Sequence, residues 1–390
     1  MVDTFMGYRR ENGTVGVRNQ IAIIPSVFCA GKVAERIAYQ VPGSVFFKHP
    51  VGCSQVGEDL ETTAKTLIQL GNNPNFAGVV VVGLGCERFS PHELAAGIAP
   101  TKKMLQTVVI QDEGDSLKAI EQGTRYAREM QQIASMQQRE EFPVSELTIA
   151  LNCGGSDMTS GLVANPALGI ASDKLVAGGG SSILSEITEL LGTEEILARR
   201  AVTESVAEEI KETIYRTERR LEYQTKHSSN ANRNHLISTG NYDGGLSSIV
   251  EKSLGSMKKS GNAPFSGVIH YGEAPKTKGL FLLDSPGHDG EVATGQAAAG
   301  AQIMLFPTGR GTPTGFPGVP VIKITGNPKT YAKMKENIDI NAGAVITGEK
   351  TLQQVGEEIY EEILQVASGK SVKSEILGHD ELFCVTRVLG

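Results

Sequence analysis

Short β-branched apolar runs alternate along this chain with longer stretches whose apolar residues recur at helical spacing. The runs at 21–26, 45–49, 78–84, 106–111, 147–151 and 181–185 predict strands, and 57–71, 115–135 and 187–198 between them predict helices. Such alternation is the pattern of a parallel, doubly wound sheet. From Glu204 to Tyr223 the chain is highly charged, with Val206, Ile210 and Ile214 on one helical face, which predicts a long surface helix. Residues 225–240 are polar and without period, and read as a linker. A second α/β unit follows, with strands at 266–271, 279–284, 302–306 and 320–324 and helices near 289–300, 328–337 and 351–367. The expected fold is α/β: two doubly wound, mostly parallel-sheet lobes, residues 1–225 and 226–390, with a cleft between them.

Charge and composition narrow the function. The 390 residues carry a net charge of -7 with no basic stripe, which argues against a nucleic-acid partner. No apolar run approaches the roughly 20 residues that span a bilayer, and no positively charged, apolar leader opens the chain. The expectation is a soluble, cytoplasmic protein with no membrane partner. Five cysteines are an odd number, in a chain too large to need disulfide staples.

The cysteines change the picture most. Cys29, Cys53, Cys86 and Cys153 each follow an apolar, strand-like run, and the last three stand beside glycine. In a parallel sheet all carboxyl strand ends lie on one edge, where ligands bind. Four thiols on such an edge predict a metal site: Cys53, Cys86 and Cys153, with Cys29 or His49 as additions. Thiolates with one open position suit iron as a Lewis acid, and they also hold iron–sulfur clusters. Cys384, in Leu382-Phe383-Cys384-Val385, reads as packing. Gly83-Leu84-Gly85-Cys86-Glu87 lacks the third glycine of a dinucleotide fingerprint, and no phosphate-loop lysine motif occurs.

Polar groups cluster on the same predicted edge. Cys153-Gly154-Gly155-Ser156-Asp157 puts a thiol, a hydroxyl and a carboxylate ahead of a predicted helix start, a setting that favours anions. Glu186 and Glu189 share one helical face after another strand, where dipole complementarity is the plainer explanation. Thr308-Gly309-Arg310-Gly311-Thr312-Pro313 reads as a carboxylate clamp built on the planar fork of Arg310. His288 is a second loop histidine, and Lys252 and Lys323 are further cations.

Together these runs resemble the altronate/galactarate dehydratase family. The likeness is carried by Gly7-Tyr8-Arg9-Arg10-Glu11-Asn12-Gly13-Thr14-Val15-Gly16-Val17-Arg18-Asn19, the Gly83–Glu87 and Cys153–Asp157 segments, Ser160-Gly161-Leu162-Val163-Ala164-Asn165-Pro166, Glu251-Lys252-Ser253-Leu254-Gly255 and the Thr308–Pro313 loop. It implies an iron-dependent hydro-lyase acting on sugar acids. It also implies a separate small β-rich subunit, because full-length members carry such a domain ahead of this core, and an oligomeric assembly. The large subunit of sulfolactate sulfo-lyase is similar and is organised the same way.

Dehydrating a 2,3-dihydroxy acid means removing a weakly acidic proton beside the carboxylate and expelling hydroxide. A metal eases both, and a positioned base takes the proton. Base candidates are His49, Glu87, Asp157, Glu186 and Lys252. Ser156, Asn165, Thr308, Arg310 and Thr312 are the expected substrate contacts. The cofactor is expected to be iron, as a ferrous ion or an open-cornered four-iron cluster. The alternatives are a carbon–sulfur lyase that releases sulfite and a non-catalytic, metal-stabilised binding subunit.

Overall fold

The computed structural model describes residues 3–226 and 237–387. Two parallel sheets organise it. A small antiparallel sheet opens the chain, where β1 (Thr4–Arg9) pairs with β2 (Val15–Gly16). Next comes a four-stranded parallel sheet of β3 (Gln20–Pro25), β4 (Ser44–Phe46), β5 (Phe76–Gly83) and β6 (Met104–Val109), in the order β4-β3-β5-β6. All eight residues of β5 are buried, as befits a strand covered on both faces by helices. The strand β7 (Glu140–Pro143) returns to pair with β1.

The larger sheet has seven parallel strands: β8 (Thr148–Leu151), β9 (Ser181–Leu184), β10 (Phe265–Ile269), β11 (Leu280–Leu283), β12 (Ile303–Pro307), β13 (Val321–Thr325) and β14 (Ile340–Asn341). Their order is β10-β11-β9-β8-β12-β13-β14. The chain therefore builds outward from β8 through β9 on one side, then crosses back to place β12 on the other. The carboxyl ends of β8 and β12 form a topological switch point, where neighbouring loops part and open sheets bind ligands.

Both expected α/β lobes are present, but they divide the chain elsewhere than residue 225. β8 and β9 hydrogen-bond to β12 and β11, so the second sheet begins at 148. Residue 225 falls inside a helix, Glu204–Lys226, and most of the expected linker (227–236) lies outside the described residues. The lobes meet through apolar side chains: Ala22, Ile24, Phe47 and Val81 of the first pack with Met304, Phe306, Val321 and the C-terminal residues Leu382 and Phe383 of the second. Asn73 and Asn75 pin the amino ends of the strands, donating to the carbonyls of Ala297, Ala301, Gln302 and Gly318. Among the described residues no helix is long and apolar enough to cross a membrane.

Candidate active site

Cys153 leaves the end of β8 and is buried. Its thiol donates to Glu189 Oε2 at 2.9 Å and lies 3.7 Å from Ser156 Oγ. Glu186 and Glu189 come from the turn after β9, the neighbouring strand. Glu186 holds φ 69°, a left-handed backbone uncommon for a residue with a side chain, and its N–H donates to Ser285 Oγ. Ligand atoms of Cys153, Glu186 and Glu189 all lie within 4.8 Å of one another.

Two lysines close this group. Lys259 Nζ stands 2.6 Å from Glu186 Oε2, with side-chain exposures of 0% and 1%. Lys252 Nζ stands 2.6 Å from Glu189 Oε1 and 3.3 Å from Asn241 Oδ1. Burial opposes the charge on both lysines, but the surrounding acidic groups outweigh it and hold both ammoniums above their ordinary range. Burial likewise pushes the Cys153 thiol and the Glu186 carboxyl up. Glu189 goes the other way, since Lys252 and Lys259 outweigh its burial. Asp289, first residue of the helix Asp289–Ala298, is raised to about 6 by burial and by Glu189.

The donor set fits a metal ion. A thiol beside two carboxylates suits a borderline divalent cation better than a purely hard one. Glu186 Oε1 is buried with no hydrogen-bond partner, so one ligand direction is open. Charge also balances. Without a metal, two ammoniums neutralise two carboxylates around a neutral thiol. A divalent ion with the deprotonated thiol would leave one positive charge, which one bound monoanion would cancel.

A cavity of ≈ 280 Å³ adjoins this cluster, sharing Ser156 and Lys252 with it and walled further by Asn165, Leu246, Leu254 and Lys258. It is at the small end for ligand pockets, which run from about 300 to 1,000 Å³. One wall is a π-helical turn, Ser160–Ala164, a local widening common at functional sites. The helix Ile249–Ser256 crosses it so closely that a Cβ on Gly161 would stand 3.2 Å from Gly255 Cα. Glycine at both points therefore lets Lys252 come over the Cys153 loop.

The structure places the loop after β12 against the loop after β8. Gly309 and Arg310 both donate their backbone N–H to Gly155 O, at 2.9 and 3.0 Å. A Cβ on Gly309 would sit 2.2 Å from Asp157 Cγ, so only glycine fits. Arg310 is half exposed, 4.0 Å from Asp243, and free to turn to a ligand. Thr308 Oγ1 accepts from Gly311 N, and the Thr312 and Thr314 hydroxyls meet at 3.0 Å, so both threonines shape the loop.

Thus Cys153, Ser156, Glu186 and Lys252 are brought together, with Asn165 on the cavity wall and Thr308, Arg310 and Thr312 beside the switch point. Asp157 lines the same cavity, and its carboxylate is a brace there, accepting from Thr159 Oγ1, Ser160 N and Asn327 Nδ2. Other expected site residues are placed elsewhere. Glu87 braces its own loop in the first lobe, accepting from Ser26 Oγ, Leu84 N and Gly85 N. His49 is buried in that lobe, and burial lowers it to about 4. Cys29, Cys53 and Cys86 are exposed there and do not join Cys153: among the described residues, the group of three close metal-type ligands is Cys153, Glu186 and Glu189. Carboxylates, not further thiols, complete the cluster.

Lys259 and Asp289 carried no sequence signal. Lys258-Lys259 reads as surface charge, and Asp289 stands beside His288, a loop histidine with the plainer chemical signal. In the structure His288 points outward, 67% exposed, whereas Asp289 senses the cluster.

Residues 144–389 match the family model described as D-galactarate/altronate dehydratase, C-terminal, and residues 7–135 match D-galactarate dehydratase/altronate hydrolase, second domain. The chain belongs to the galactarate/altronate dehydratase family. The two matched segments meet where the two parallel sheets divide the chain. Within the family, the chain is 39% identical to altronate dehydratase of Bacillus subtilis over 95% of its own length and 75% of the relative's. It is 36% identical to galactarate dehydratase (L-threo-forming) of Escherichia coli over 94% and 73%. It is also 38% identical to (2R)-sulfolactate sulfo-lyase subunit beta of Chromohalobacter salexigens, over 99% and 97%. These relatives are lyases by name.

Proposed function

We propose that this protein is a cytoplasmic, iron-dependent hydro-lyase that dehydrates a hydroxylated sugar acid, of the altronate or galactarate type, to a 2-keto-3-deoxy acid. The observation that carries the reading is the buried Cys153–Glu186–Glu189 group, enclosed by Lys252 and Lys259 at the switch point of the seven-stranded sheet. Cys153, Glu186 and Glu189 would hold the iron. When bound, it supplies Lewis-acid stabilisation of charge on the substrate's carboxylate oxygens.

The chain's own residues handle the rest. Arg310 is available to pair with the carboxylate, as a planar fork suits it. Asp289 takes the proton from C2, since its raised proton affinity is matched to neutral pH. Lys252, on the wall shared by cavity and cluster, protonates the departing C3 hydroxyl, which leaves as water. The resulting enol takes a proton at C3 and becomes the keto acid.

This assignment sets the acid limb of the pH profile. The base must be ionised, so kcat/KM should fall tenfold per pH unit below about 6, where Asp289 becomes protonated. Asp289→Asn should remove that limb and lower kcat by about 10²–10⁴-fold. A wild-type limb that persists unchanged in Asp289→Asn assigns the base elsewhere.

The relative that matches this chain from end to end is named a subunit, whereas the single-chain dehydratases extend beyond the match. That difference supports a reading in which the chain works with a second, small polypeptide in an oligomer. It also keeps a second reaction open, elimination of sulfite from a sulfonated hydroxy acid. A screen of aldonic, aldaric and sulfonated hydroxy acids, with the chain alone and with a small partner, separates the two. A 2-keto acid without sulfite supports the hydro-lyase, and released sulfite makes the chain a carbon–sulfur lyase.

A further inference from the structure

Three of the five cysteines are exposed, and all three lie at one edge of the first lobe. Cys29 follows β3, Cys53 follows β4 and Cys86 follows β5, and these strands are neighbours in the order β4-β3-β5. Free cysteine is among the most often buried residues, so three exposed thiols on adjoining loops are not what packing alone selects.

The loops are tied together beneath the thiols. Phe28 N donates to Val51 O at 2.8 Å, joining the Cys29 and Cys53 loops. Ser26 Oγ donates to Glu87 Oε1 at 2.6 Å, joining the Cys29 and Cys86 loops. Ser54, next to Cys53, holds φ 60°, a strained backbone that persists only when its surroundings fix it. Under the Cys53 loop lies His49, 2% exposed, with neither ring nitrogen hydrogen-bonded. Its Nε2 is 3.1 Å from where a Cβ on Gly52 would stand. A buried imidazole with neither ring nitrogen hydrogen-bonded, beneath the Cys53 loop on this thiol-bearing edge, marks a place built for something besides protein.

Size selects the ligand. Thiolates on one ion, each at about 2.3 Å, are at most about 4.6 Å apart. Among the described residues these three sulfurs form no group within 4.8 Å. A cluster of several irons and sulfides spans wider-set cysteines. We propose that Cys29, Cys53 and Cys86 bind an iron–sulfur cluster, separate from the Cys153–Glu186–Glu189 site, with one iron left without a cysteine ligand. The proposal stands apart from the lyase assignment, since it concerns the other lobe.

The test is to isolate the full chain without oxygen, reconstitute it with ferrous iron and sulfide, and measure iron, acid-labile sulfide and visible absorption. Wild type should hold sulfide and show the visible band. Cys29→Ser, Cys53→Ser and Cys86→Ser should each lose both while melting like wild type, as exposed thiols tolerate serine. Cys153→Ser should keep both. Wild type without sulfide, a triple serine variant that retains it, or loss of sulfide in Cys153→Ser each overturns the proposal. Turnover, assayed separately with Glu189→Gln, reports on the lyase assignment and leaves the sulfide result independent.

Discussion

Glu189→Gln should lower kcat/KM by about 10²–10⁴-fold and strip the bound iron, with the fold intact by circular dichroism. Glu189 is the hinge of the site. One oxygen accepts from the Cys153 thiol, and the other holds the Lys252 ammonium at 2.6 Å. The amide keeps the shape but loses the charge. It therefore removes a proposed metal ligand and lowers the proton affinity of Lys252, the group assigned to protonate the leaving hydroxyl, and proton transfer of that kind contributes about 10²–10⁴-fold. Cys153→Ser should behave similarly, because a hydroxyl is a poor substitute for a thiolate toward a borderline metal. Activity within a few-fold of wild type in Glu189→Gln, with iron retained, would move the chemistry away from this cluster.

Lys259→Met should be the most destabilising single change at the site, by about 3–5 kcal/mol, because it leaves Glu186 buried and without its counter-charge. Desolvating a lone carboxylate in this interior is unfavourable enough that Glu186 would take up a proton instead. Denaturant titration of the metal-free protein measures the loss. Lys259→Met with Glu186→Gln should recover much of it, since no unpaired charge is then left. Equal midpoints for wild type and Lys259→Met would show that the pair contributes nothing to the fold.

These two predictions fall on residues of unequal visibility. Cys153 and Glu186 stand at strand ends in the sequence, and a strand end in an α/β chain is already a functional address. Lys252 lies in a segment that the family resemblance covers, while Lys259 lies just beyond it, in a run that looks like solvated charge. The base assignment shows the same limit. His49 and Glu87 have the right chemistry and the right kind of loop, yet they sit on the other sheet. Asp289 reads in the sequence only as the start of a helix, and its raised proton affinity comes from burial and from Glu189.

The thiols mark the boundary most clearly. Local pattern places every one of Cys29, Cys53, Cys86 and Cys153 at the carboxyl end of a strand, and the structure agrees. It does not say how many sheets those strands form. Only the crossover from β11 to β12, and the pairing of β8 with β12, put Cys153 in one sheet and the other three in another.

The amino-acid sequence by itself determined the α/β alternation, the strand ends that carry chemistry and the family, because each rests on periodicity or on short contiguous motifs. The tertiary structure alone decided which charges meet. An ion pair forms only when its atoms come within about 4 Å, and Lys259 reaches Glu186 across 73 positions of chain. That contact is set by strand order and helix packing, which no local pattern encodes.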